Sequence, residues 1–514
     1  MRVDPIDYVR NMNPQYKYTL GSAFVMGVLS QGMGLFNKYS VHDDAMNYGV
    51  GATYSSGRWM LDILEKAERI VYGDGHYSLP AFNGILSICL IALSACLLVR
   101  MLDIKSLFLS VFVSGLMVSF PVITSIFGYM FTLHFYMLAL LLGMLGAYLV
   151  CEYEKWYYWA IGVLLMGASA GIYQAFIPVI VTVQLFHCIN YGIKDNNTFG
   201  YIKRLVRTVA GCVLFLVLYF GINRLYLSIQ HAELTDYMGI ASMGRESIRE
   251  YCRRVIDAYS EFLVPHKEAV YFMYPGTILY IYYLALGISI AFCIYSIVKL
   301  LKRSIIKALI VTVLILLVPL SVNLIFVMVD RLTVHSLMVY AQLLPFVFFA
   351  WAVDNIRFQN VTRERVVSSA AAVLMTALLV MYSRVDNKCY IKATYAQQEA
   401  ISYFTSLVTQ IKSTDGYKDE LPVAFVNEMH ASDTSLQMGD YGAYDSIGYV
   451  PYILDPLDYL NNYRWMLFMK QWTGFSPQVA DAKLFQDMEE VQQMPSYPDD
   501  GSIRIIGDTV VVKF

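Results

Sequence analysis

Two adjacent carboxylates, Asp43 and Asp44, stand in the segment 37–59, NKYSVHDDAMNYGVGATYSSGRW, with His42 before them and Arg58-Trp59 closing it. A carboxylate held at a membrane surface can take the proton of an acceptor hydroxyl as general base. A second one beside it raises the first one's pKa by like-charge repulsion, or holds a cation or a sugar hydroxyl. The plainer reading of the pair is a solvated acidic patch or a helix N-cap. Arg58 offers a planar fork suited to phosphate, and Trp59 belongs to the residue types of the membrane interface. Here the plainer reading is an aromatic anchor with a snorkelling arginine.

A second set of polar residues lies within or at the ends of apolar runs: His134, Tyr173, Gln174, Asn223, Arg224, Asn323, Asp330, Arg331 and His335. Ionisable groups at membrane depth are costly and are functional candidates by default. Arg331, in a short turn, suits a phosphate leaving group, since a fixed cation stabilises developing negative charge. A local Asp330/Arg331 charge pair is the alternative. For His134 and Gln174 the plainer reading is a satisfied interhelical hydrogen bond.

The elements that must position these residues follow from the hydropathy. The 514 residues are 57% hydrophobic and only 15% charged, with mean hydropathy +0.49 and net charge −2. Soluble domains carry about 25% charged residues. Apolar runs recur from Leu20 to Met381 and predict about eleven membrane helices. They fall near 18–36, 79–99, 106–126, 129–150, 156–172, 173–192, 206–226, 276–299, 306–328, 333–353 and 366–383. The fold class expected is an all-α polytopic membrane protein, with residues 1–383 as the transmembrane part. The polar N-terminus and long first run predict no cleavable signal peptide.

Lys and Arg gather in alternate short loops (Arg100, Lys105, Lys155, Lys194, Lys203, Lys299, Arg303 and Arg363 among them), which predicts a cytoplasmic N-terminus. Two long segments, 37–78 and 227–275, then lie outside, as does everything from residue 384 on. That tail, 384–514, reads as a small extracytoplasmic α/β domain. Residues 393–412 have helical spacing, LPVAFVN at 421–427 reads as a strand, and the last residues read as two strands joined at Gly507-Asp508. It holds no metal-ligand spacing, nucleotide loop or nucleophile elbow. Six cysteines fall within apolar runs, and Cys252 and Cys389 are the pair available for a disulfide. Near-zero net charge without a basic, aromatic-interleaved patch gives no sign of nucleic acid.

The block HDDAMNYG…SSGRW, the segment GIYQAF at 171–176 and NKCYIKATYAQQEAISYFTSLVTQI at 387–411 resemble the Gtr-type, type II-like family of glucosyltransferases. The whole layout is similar to the GT-C class of membrane glycosyltransferases. The resemblance implies a polyprenyl phosphate-linked glucose or similar hexose as donor, and a cell-surface glycan hydroxyl as acceptor. O-antigen is one such bacterial glycan. It implies Asp44 or Asp43 as base, Arg58 and Arg331 on the donor phosphate, and His42, Trp59, Tyr173, Gln174 and His335 around the substrate. No metal ligand is assigned, although adjacent carboxylates leave room for a divalent cation. The cell (inner) membrane is the expected location. A donor synthase and a flippase are the expected functional partners.

Two other classes compete. A transporter or flippase of lipid-linked sugars shares the many helices and intramembrane charges, but such carriers often show inverted repeats with matching broken helices, which this sequence lacks. A GT-C transferase or polymerase of other sugar specificity shares the same layout.

Overall fold

A computed structural model of the chain describes residues 7, 10–39, 53–73, 77–235, 246–266, 270, 272–329, 334–356, 360–427 and 461–514. His42, Asp43, Asp44, Asp330 and Arg331 lie outside the described residues. Those described fall into two compact units, one of residues up to 37 and from 53 to 387, the other of 38–39, 388–427 and 461–514.

The first unit is helical: α1 (Pro14–Phe36), α2 (Trp59–Tyr72), α3 (Pro80–Met101), α4 (Leu107–Ser119), α5 (Pro121–Phe127), α6 (Leu133–Glu152), α7 (Trp156–Ile172), α8 (Ile177–Lys194), α9 (Thr198–Ile229), α10 (Ile248–Leu263), α11 (Thr277–Leu301), α12 (Ile305–Leu316), α13 (Val318–Val322), α14 (Ile325–Met328) and α15 (Leu344–Asn355). The last helix, α16 (Val361–Ser413), enters the second unit after Asn387. Starts follow local chemistry. Asn13, Ser106, Asn197, Ser247 and Ser304 accept backbone N–H bonds at N-caps, and Pro14, Pro80 and Pro121 occupy first turns, where no N–H partner is lost.

Among the described residues, nine helices are long and apolar enough to cross a bilayer. The expected run 156–172 is present as α7, at 17 residues just short of that length. The run expected at 333–353 is two 3-10 turns followed by the 12-residue α15. The run expected at 306–328 breaks into α12, α13 and α14, the middle piece carrying Pro319. Irregular backbone at membrane depth must be satisfied within the protein. Asn323 Nδ2 donates to the Ala258 carbonyl at 2.8 Å and Asn323 Oδ1 accepts from Gln342, while the Tyr274 hydroxyl donates to the Gln342 carbonyl at 2.8 Å. The Gln342 carbonyl of the irregular segment thus receives a side-chain donor, and the two buried amides satisfy each other. The chain is a multi-pass membrane protein.

Small residues let the central helices approach. A Cβ on Gly146 of α6 would lie 2.6 Å from the Gly162 carbonyl oxygen of α7, and one on Gly162 would lie 2.7 Å from that of Gly146. The Ser169 hydroxyl donates to the Ala139 carbonyl across the same pair at 2.6 Å. Lipid supplies no hydrophobic drive for helix association, so such close van der Waals contact holds the pair. Deeper in the bundle, α1, α5 and α16 meet at Asp386, fully buried, which accepts from the Thr124 hydroxyl at 2.8 Å.

In the second unit, β1 (Val423–Val426), β2 (Ile503–Ile506) and β3 (Thr509–Lys513) form a three-stranded sheet of order β1-β3-β2, with α17 (Asn461–Thr473) and the C-terminal part of α16 beside it. β3 runs parallel to β1 and antiparallel to β2. Val510 and Val512 face Phe404, Leu407, Ile411 and Phe468, while Val511 faces Phe485 and Val491. Period-2 alternation thus covers both faces of the central strand. All eight cysteines are free thiols, so the Cys252–Cys389 pairing is not made; Cys389 is buried and Cys252 exposed.

Gly146→Val is expected to prevent the α6–α7 approach, at a cost of at least about 1–3 kcal/mol. Gly32→Ala, with open space at its Cβ, is the control. Thermal unfolding of the two purified variants in detergent checks this: a clear loss of Tm for the first and none for the second.

Candidate functional site

The turn before α2 is the foot of the acidic segment, and its geometry is fixed by short-range bonds first. Residues Thr53–Ser56 form a 3-10 turn, closed by Gly57 N–H to the Tyr54 carbonyl and Arg58 N–H to the Thr53 carbonyl. Gly57 has φ 78°, a left-handed conformation that glycine takes without steric cost. Two side chains from the helical bundle then pin the turn. Gln174 Nε2 donates to the Ser56 carbonyl and to the Tyr219 hydroxyl, both at 3.0 Å. The Tyr219 hydroxyl in turn donates to the Gly57 carbonyl at 3.2 Å. Outside, Thr235 holds the Ser55 carbonyl through its N–H at 2.9 Å and its hydroxyl at 3.1 Å.

Arg58 emerges from this turn over two tyrosines. Tyr136, from the first turn of α6, and Tyr173, at the end of α7, stack with ring centroids 4.3 Å apart and planes 14° from parallel. The Arg58 guanidinium carbon lies 5.4 Å from the Tyr173 centroid and 5.9 Å from that of Tyr136, and one guanidinium nitrogen donates to the Tyr136 hydroxyl at 3.1 Å. Cation–π attraction and this bond hold a half-buried arginine with its plane set. The Tyr173 hydroxyl donates to the Leu337 carbonyl at 3.2 Å, which ties the stack to the turn following His335. His335 itself is exposed.

Trp59 does not sit as an interfacial anchor. It is 6% exposed, and a Cβ on Gly171 would lie 2.5 Å from its indole Cε2. That glycine is what admits the ring against α7. The indole N–H is buried without a hydrogen-bond acceptor among the described residues. Along α2, Asp62 accepts from the Tyr226 hydroxyl at 2.5 Å and pairs with Lys66 at 2.7 Å, and this hydrogen-bonded carboxylate raises the Lys66 pKa. One turn later Glu68 meets His134 Nε2 at 3.5 Å. The helix is therefore bolted to α9 by Tyr226 and to α6 by His134.

The structure thus brings together Arg58, Trp59, Tyr173 and Gln174, with the backbone beside His335. His42, Asp43, Asp44 and Arg331 fall outside the described residues. Sequence reasoning missed Tyr136, Tyr219 and Asp62. Tyr136 had one weak signal, its place beside His134 at the start of an apolar run.

Gln174→Leu removes both donors and leaves the buried Ser56 carbonyl unpaired, a loss of about 1–3 kcal/mol. Amide hydrogen exchange across residues 53–58 should then quicken about tenfold or more, with exchange in the middle of α6 unchanged. Equal exchange in variant and wild type would show that Gln174 does not hold the turn.

The chain matches the family model described as Glucosyl transferase GtrII over residues 32–346, well over half its length. The matched region runs from the end of α1 through the pinned turn, the tyrosine stack and the segment beside His335. No curated protein and no solved structure matches the chain. A multi-pass membrane protein whose acidic segment, arginine turn and aromatic bed all lie inside that match is a glycosyltransferase: the chain belongs to the GtrII glucosyl transferase family.

Proposed function

We propose that the chain transfers a glucosyl group from a polyprenyl phosphate donor to a hydroxyl of a cell-surface glycan, on the extracytoplasmic face of the cell membrane, in the manner of GT-C enzymes. The observation that carries this reading is Arg58, seated over the Tyr136–Tyr173 stack directly after the segment that bears Asp43 and Asp44. A glucosyl group arriving on a lipid phosphate leaves an anion behind. A guanidinium whose plane is already fixed can stabilise that charge without reorganising.

The roles follow. Asp44 or Asp43 takes the proton of the acceptor hydroxyl as that oxygen attacks the anomeric carbon. The bond from that carbon to the phosphate oxygen breaks, and the electron pair leaves with the lipid phosphate. A single displacement of this kind inverts the anomeric centre. Arg58 and Arg331 are assigned to the charge of the departing phosphate. His42, Trp59, Tyr173 and His335 serve the sugar-binding part of the site, and Gln174 acts by holding the turn. The basic loops then face the cytoplasm, and the unit from residue 388 on lies outside and assists acceptor binding. A donor synthase and a flippase supply the lipid-linked sugar.

The test uses purified protein in lipid, polyprenyl phosphate-glucose and cell-envelope glycan, with release of lipid phosphate followed over time. Asp43→Asn or Asp44→Asn is expected to lower turnover about a hundredfold or more, the usual share of a general base. Arg58→Gln is expected to cost about a hundredfold in kcat. Full activity of both aspartate variants would remove the proposed base. Movement of donor across the bilayer without hydrolysis or transfer would indicate a lipid-sugar carrier instead.

A further inference from the structure

The helix α8 starts beside the tyrosine stack, immediately after the Gln174–Phe176 turn, and ends at Lys194. Its 18 residues rise about 27 Å, close to the roughly 30 Å of a bilayer's hydrocarbon core. Whatever surrounds Lys194 therefore lies at the opposite membrane surface from the candidate site. There the ends of α8, α11 and α15 leave a cleft of about 120 Å³. It is lined by Phe292 and Trp351 in its floor and by Lys194, Lys299 and Arg303 at its rim, with Tyr295 beside them.

The floor is aromatic and buried. Trp351 is 1% exposed, its indole N–H donates to Asn190 Oδ1 at 3.2 Å, and Phe292 meets it edge-on at 5.2 Å. The rim is basic and open. Lys194 pairs with the half-exposed Asp103 at 3.0 Å, but Lys299 and Arg303 form no ion pair with any described residue. Lys299 lies in the last turn of α11 and Arg303 in the turn that follows it, so the rim presents two exposed cations to whatever enters the cleft. On the same helix, Tyr295, Ile294, Val298 and Leu301 are exposed, and these apolar side chains lead from the cleft along the bilayer-facing side of α11. The volume is well below the roughly 300 Å³ at which pockets for whole small molecules begin, so the cleft takes one group and not a sugar nucleotide. A basic rim, an aromatic floor and an apolar flank suit one ligand class: a phosphate joined to acyl chains. Basic pockets between membrane helices are known to take such headgroups.

We propose that this cleft binds the phosphate of an anionic phospholipid in the leaflet opposite the candidate site. Lys299 and Arg303 hold the phosphate and Tyr295 lies against the chain. The proposal does not depend on the transfer chemistry.

Native mass spectrometry of the purified full-length chain tests it, with phosphatidylglycerol, phosphatidylcholine of the same acyl chains, and inorganic phosphate titrated separately. The comparison sets Lys299→Gln/Arg303→Gln against Lys203→Gln/Lys302→Gln, which removes the same charge from exposed sites outside the cleft. The expected result is phosphatidylglycerol retained by wild type and by the control pair, and bound roughly tenfold more weakly or worse by the cleft pair, a direct charge-assisted hydrogen bond to phosphate being worth about tenfold or more. Phosphatidylcholine is expected to bind weakly throughout. Equal weakening in both double variants would reduce the effect to bulk charge and overturn the site. Inorganic phosphate bound in place of the lipid would overturn the lipid assignment. All four substituted side chains are exposed, so unchanged Tm is expected and separates lost binding from lost folding.

Discussion

The pinning of the 53–58 turn by Gln174 and Tyr219 is the interaction on which the site depends. Two buried backbone carbonyls, those of Ser56 and Gly57, receive donors from the bundle. Leaving such acceptors unpaired is expensive, so the turn has one register against the helices. That register sets where Arg58 leaves the backbone and where Trp59 enters α2. The Gly171 gap, admitting the indole, and the Asp62–Tyr226 bond extend the same constraint along the helix. An arginine on a mobile loop would lose rotamer freedom at the moment of binding. Here that loss is taken on folding.

The bundle around it shows how a membrane protein makes room for irregular backbone. The described residues 318–329 and 334–343 form short helices and turns, and there Asn323 and Gln342 are hydrogen-bonded to each other, to the Ala258 carbonyl and to Tyr274. Water cannot serve there, so each break requires a nearby amide or hydroxyl. The breaks also bring the Leu337 carbonyl to Tyr173, joining this irregular region to the aromatic bed. Packing of α6 on α7 through Gly146 and Gly162 carries Tyr136 and Tyr173 to stacking distance. The close helix approach and the arginine platform are one feature.

The two ends of α8 connect surfaces of different chemistry. Among the described residues, one end meets aromatic and amide groups around Arg58, the other a cluster of lysine and arginine above buried Trp351. Helix length alone separates them by a bilayer. The charge asymmetry that orients a membrane chain and the basic rim of the cleft are built from the same residues.

The apolar runs by themselves determined most of the helices, because a bilayer demands roughly 20 apolar residues per crossing and such runs stand out in any window. The strands at 423–426 and 503–513 were legible for a related reason: β-branched alternation and a Gly-Asp turn are local signals. Arg58, Trp59, Tyr173 and Gln174 were singled out from residue type and position, since polar groups beside long apolar runs need a purpose. What each does was decided only by tertiary structure. Tyr136 is one aromatic in a helix apolar all round, and such a helix carries no periodic signal of which face meets a neighbour. Gln174 reads as a lone polar residue until Ser56, more than a hundred positions away, is folded against it. The same holds for the collapse of the run at 333–353 into turns: its composition suits a helix, and only bonds to distant partners make the break affordable in lipid.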